Sequence, residues 1–140
     1  TMRTQSLQAS RRTFMNESNN NADQIRRQVL GDNYVNNTLN GWEPARPVLE
    51  LLENTPWGFL WPREQLTLQS RSLITVAILA ALDRHKELET HTRGARRNGC
   101  SFEEIIEAIL HSGVYSGMPT AVEGAKIAQR IAAEERQGHL

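Results

Sequence analysis

Apolar residues recur at spacings of three and four along most of this chain, and no stretch alternates apolar with polar for more than a few residues. A repeat near 3.6 buries one face of a helix, whereas a repeat of two buries one face of a strand. The pattern predicts an all-α protein with about six helices, over 22–31, 43–54, 69–82, 85–98, 102–116 and 119–136. Their ends are marked. Gly31 accepts the left-handed backbone that commonly closes a helix, and Gly99 does the same before the fifth helix. Ser101 followed by Glu104 forms a Ser-x-x-Glu capping box at the start of that helix. Pro47 is tolerable only in the first turn of its helix, and Pro119 opens the last one. Between 55 and 69 the stretch "TPWGFLWPREQLTLQ" holds two prolines, a glycine and three large aromatic rings. It reads as a structured loop.

The longest apolar run, "LITVAILAAL" at 73–82, is about half of the roughly 20 residues a membrane span requires. It reads as a buried helix. On the fifth helix Ile105, Ile106, Ile109, Leu110 and Val114 form the expected core stripe, flanked by His111 and Tyr115. The first 22 residues are polar, carry Arg3, Arg11 and Arg12 with no acid before Glu17, and end in an asparagine run. They read as a disordered tail before a single helical domain spanning 23–140. The same composition is that of a weak organellar targeting segment.

Composition narrows the classes. A chain of 140 residues fits one domain, and 16 basic residues against 16 acidic ones leave no net charge, hence no long-range field for nucleic acid. A domain this small leaves much apolar surface exposed unless subunits associate. The single cysteine, Cys100, excludes an intrachain disulfide and any Cys-x-x-Cys redox or zinc motif. It agrees with a reducing, cytoplasmic location, and its expected role is that of a small apolar residue.

The candidate chemistry lies in "RHKELETHTRGARRNGC", residues 84–100. Glu87 and His91, four apart, share a helical face, close enough for a carboxylate to meet an imidazole. By spacing alone this is an exposed pair worth a few tenths of a kcal/mol; as a site it is an imidazole held in one tautomer and favoured in its protonated form. Arg71 and Arg84 are cations suited to carboxylates, or simply charges at helix ends. His111 and Tyr115 are again four apart, either bordering the core or lining a cavity. Trp57, Phe59 and Trp61 wall a pocket or seal a subunit interface, with packing the favoured reading. A metal site from His85, Glu87, His91 and His111 is disfavoured, because residues 85 and 91 point in different directions on their helix.

Taken in order, "RSL-T-A-L-AL" from Arg71, "R--EL--H--GA--NG" from Arg84 and "EEI-E-ILH---Y-G-P" from Glu103, with weaker likeness back to "VLGDNYVN", resemble the carboxymuconolactone decarboxylase family over roughly 110 residues. The resemblance implies an all-helical fold shared with the alkylhydroperoxidase D-like proteins, assembled as trimers or hexamers. The peroxidase branch of that superfamily carries Cys-x-x-Cys-x-x-x-His; aligned on His91, its cysteines fall on Arg84 and Glu87, so a dithiol cycle has no sulfur here. The decarboxylase branch implies a carbon–carbon lyase of aromatic catabolism, in the β-ketoadipate pathway, acting on 4-carboxymuconolactone or a similar lactone acid. It implies no metal or cofactor, His91 and Glu87 as catalytic residues, and Arg71, Arg84, His111, Tyr115 and Trp57 against a carboxylated small molecule. In that reaction the electrons left by CO2 pass to the lactone carbonyl, so the protein must hold carboxylates, stabilise an oxyanion and deliver a proton. Two departures bear on the substrate. Glu64, Gln65 and Leu68 replace a Pro-Gly-Leu-basic pattern, and Val122 and Glu123 stand where small or amide residues are usual. Alternatives of another class are a proton-transfer enzyme on a different small ligand in a biosynthetic pathway, and a non-catalytic oligomeric binding protein.

Overall fold

A computed structural model describes residues 2–39 and 41–138, and every regular element among them is helical. In chain order these are α1 (Met2–Leu30), α2 (Asp32–Asn37), a 3-10 turn (Glu43–Ala45), α3 (Arg46–Leu52), a π-helical segment (Glu53–Leu60), α4 (Leu68–Ala81), α5 (His85–Arg97), α6 (Phe102–Ser116) and α7 (Met118–Arg136). The chain divides into two compact units: Thr1–Arg27 with Gly31–Glu64, and Gln28–Leu30 with Gln65–Leu140.

In the first unit, α1 begins far earlier than position 22. No glycine or proline interrupts residues 2 to 30, so nothing local stops the helix. Residues 2–21 are exposed throughout, and the extension buries no core. Gly31, at φ 85°, ends α1 as expected. The expected helix over 43–54 splits into the 3-10 turn and α3, with Pro47 in the first turn of α3. The expected loop beyond it is largely helical. Pro56 lacks an N–H and crowds the preceding turn, which a regular α-ladder does not tolerate. The backbone widens instead, with Trp61 N donating to Pro56 O, five residues back, at 2.8 Å. Trp57 and Trp61 are buried and stack with centroids 5.2 Å apart, while Phe59 is exposed under the Arg63 guanidinium.

The second unit is a four-helix bundle in which α4, α5, α6 and α7 all make mutual contacts. Thr67 caps α4, its Oγ1 accepting from Ser70 N at 3.1 Å. The capping box opening α6 is complete: Ser101 Oγ accepts from Glu104 N at 3.1 Å, and Ser101 N donates to Glu104 Oε2 at 2.9 Å. Val76, Ala80, Leu88, Ala95, Cys100, Ile105, Ile109, Ala121 and Ala128 form the core. Small residues let the helices close up. A Cβ on Gly113 would collide with Ala121, and one on Gly94 would come within 2.6 Å of Val29 O. Two expectations need correction. In the apolar run of α4, Val76 and Ala80 are buried but Ile74, Ile78 and Leu82 are exposed; in α6, Ile105 and Ile109 are buried but Ile106, Leu110 and Val114 are exposed. Each apolar stripe is wider than one bundle covers, because at 100° per residue neighbouring positions such as 105 and 106 cannot face the same partner.

Candidate active site

Helix α5 carries the candidate pair because its two faces differ sharply. Leu88, Thr92 and Ala95 point into the core, while Arg84, His85, Lys86 and Glu87 are exposed at its start. His91 lies at the boundary, partly buried with its Nδ1 atom shut off from solvent. Burial pushes the imidazole down to about 4 from its ordinary value near 6.5, and the charge of Glu87 one turn earlier offsets only part of this. Glu87 acts in the expected direction but does not win. The ligand-free chain therefore holds His91 neutral at pH 7, contrary to the protonated form expected from the pair alone, because removing the imidazolium from water costs more than one exposed carboxylate returns.

The other expected residues are distributed around the bundle. Arg71, in the first turn of α4, is 8% exposed and its Nε is buried. Arg84 is exposed, and its backbone joins α4 to α5 by donating to Leu79 O and accepting from Leu88 N. His111 and Tyr115 stack on each other with centroids 5.5 Å apart, and Tyr115 is 84% exposed. Trp57 belongs to the first unit, stacked on Trp61. Cys100 is fully buried, its Sγ 3.6 Å from Gln69 O, and burial raises its thiol. It behaves as the small core residue expected, not as a thiolate. No group of three or more His, Cys, Asp or Glu among the described residues is placed to hold a metal ion, and no described helix is long and apolar enough to cross a membrane.

Sequence reasoning missed the polar framework that fixes α5. Glu89 accepts from Arg93 at 3.0 Å and from Arg130 Nη1 and Nη2 at 3.1 and 2.9 Å, and Arg93 also reaches Glu134 at 2.7 Å. These cations hold the Glu89 carboxyl down to about 2. Arg96 forks onto Glu135 and donates to Cys100 O. Asn98 Nδ2 donates to Ser72 Oγ at 2.9 Å in the interior. The Glu89–Arg93 pair has the local i,i+4 spacing, but the links from Glu89, Arg93 and Arg96 to Arg130, Glu134 and Glu135 span about forty residues to α7 and have no local signature.

An all-helical bundle with a carboxylate–imidazole pair on one helix, and no second thiol beside it, is an alkylhydroperoxidase D-like scaffold without the peroxidase machinery. The chain belongs to the carboxymuconolactone decarboxylase family, whose pattern it matches over residues 46–130. It is 40% identical over 107 residues to nitrosuccinic acid decarboxylase npaB of Metarhizium robertsii, covering 76% of this chain and 75% of that protein. It is 33% identical over 109 residues to 4-carboxymuconolactone decarboxylase of Acinetobacter baylyi, covering 77% and 81%. The protein is a carboxy-lyase of this family.

Proposed function

We propose that the chain decarboxylates a small dicarboxylic acid whose departing carboxylate sits on a carbon joined to an electron sink, with nitrosuccinate the first candidate and 4-carboxymuconolactone the second. The two compounds named for its relatives share this design. In nitrosuccinate the C–CO2 bond breaks, its electron pair passes to the nitro group, and the nitronate is protonated at carbon. In the lactone the pair runs through the double bond to the lactone carbonyl, giving a dienolate with the same fate. Each substrate supplies its own sink, so the protein's tasks are holding carboxylates and delivering one proton. Nitrosuccinate is preferred because Glu64, Gln65 and Leu68 lower the positive charge of the segment where the lactone enzymes carry a basic residue, and because the likeness to the nitrosuccinate enzyme is higher.

The observation that carries the reading is His91, partly buried and neutral at rest, one turn from Glu87. A dianionic substrate raises the affinity of a nearby imidazole for a proton. His91 thus takes up a proton as substrate binds and gives it to the carbanion after CO2 leaves. Glu87 positions and biases the imidazole, and the Arg71 and Arg84 guanidiniums bind substrate carboxylates. We assign this activity to residues 23–140. We also assign it to an oligomer, trimer or hexamer, in which the exposed rows Ile74, Ile78, Leu82 and Ile106, Leu110, Val114 are covered by neighbouring subunits, with His111 and Tyr115 at that contact. The test is to follow CO2 release from nitrosuccinate and from carboxymuconolactone side by side. Release from nitrosuccinate well above the buffer rate, and faster than from the lactone, is expected. Release from neither overturns the reading.

A further inference from the structure

Two adjacent arginines near the end of α1 meet opposite fates. Arg27 lies toward the surface and has its acids at hand: its Nε donates to Asp23 at 2.9 Å, and its Nη1 donates to Asp32 at 3.2 Å and Asn36 at 2.9 Å. Arg26 is 3% exposed, and its Nε and Nη2 are buried without a hydrogen-bond partner among the described residues. The local acids Asp23 and Asp32 are already committed to Arg27.

A guanidinium stays protonated in proteins, and a buried cation without a counter-charge is among the costliest features a fold carries. Leucine or methionine would fill the same position in the stripe Ala22, Arg26, Val29, Leu30 at no such cost. The unmatched atoms also specify the missing partner. Nε and Nη2 form one edge of the guanidinium, with two parallel N–H groups spaced to meet two oxygens of a single planar anion. Near-complete burial limits that anion to a small one.

We propose that Arg26 is an anion-binding residue whose ligand is a small carboxylate, bound side-on through Nε and Nη2. Only the choice of probe rests on the dicarboxylic substrate proposed above; the site itself does not. Succinate is that probe, succinamide is its uncharged counterpart, and ionic strength is held constant with chloride. Saturating succinate raises the Tm of the full-length protein by roughly 5 °C, and succinamide does not. Arg26→Met loses at least half of the succinate shift, the rest coming from succinate held beside His91 by Arg71 and Arg84, and with no anion present it melts no lower than the wild type, because it removes an uncompensated charge. Arg26→Lys keeps the charge but loses the two-pronged edge, and with it most of the part of the shift that Arg26→Met removes. A succinate shift as large in Arg26→Met as in the wild type overturns the proposal. So does an Arg26→Met protein less stable than wild type without anion, which makes the arginine a structural group. A protein that binds succinate through Arg26 but releases no CO2 from nitrosuccinate keeps this site and overturns only the assigned activity.

Discussion

Helices α5 and α6 each carry a pair of polar side chains four residues apart, Glu87–His91 and His111–Tyr115, and on paper the two are equivalent. In the fold they are not. The α5 pair straddles the edge of the core, with its imidazole partly buried and held neutral, whereas the α6 pair is a stack of two exposed rings. Spacing decides which residues share a face; the turn of that face toward core or solvent decides whether a titrating group is perturbed. His91 has in the single chain the altered acidity that proton-transfer chemistry uses. The α6 pair gains an environment only when something covers Val114 and Tyr115.

The largest expected difference is catalytic. His91→Gln should lower decarboxylation by roughly 10²- to 10⁴-fold, the range typical of a positioned proton donor, while His111→Gln leaves turnover per assembled enzyme near wild type; steady-state rates on the working substrate decide this. Next is acid stability. His91 titrates near 4 when folded and near 6.5 when unfolded, so between those values the unfolded chain binds more protons and stability falls as pH falls, by on the order of 3 kcal/mol. Urea melts from pH 7 to pH 4 should show this loss shrinking in His91→Gln and persisting in His111→Gln. The part due to Glu89, whose carboxyl sits near 2, is likewise lost on acidification and stays in both variants. Val114→Asp, beside the α6 pair, should weaken assembly by about 10²-fold through the cost of an unpaired charge in an apolar contact, read by sedimentation, without changing the monomer's helicity. The smallest effect belongs to Glu87→Gln. It should lower activity less than about 10-fold, as befits an exposed charge, and move the pH profile to lower values, because removing the negative charge lowers the imidazole further.

The helices of the bundle were legible to within a residue or so because their ends carry strong local chemistry: Thr67 and Ser101 as caps, Gly99 as a stop, Pro119 in a first turn. The π-helical stretch was not, since two prolines and a glycine look like a loop unless the widened ladder around Pro56 is foreseen. The family and the α5 pair were legible from ordered motifs. The protonation state of His91 was not, because desolvation is a property of packing that no spacing reports. Arg26 stood in view within an apolar stripe at i, i+4, i+7 and i+8, a cation where a core residue was due, and that conflict was the signal passed over.

The central claim is that a neutral His91 becomes the proton donor when a dicarboxylate arrives. NMR titration of the His91 imidazole, assigned by comparison with His91→Gln, in free protein and in the presence of saturating succinate as an unreactive dicarboxylate, tests it directly. The account predicts a midpoint of about 4 in the free protein, rising toward neutrality with succinate bound. A midpoint near 6.5 in both states would contradict it.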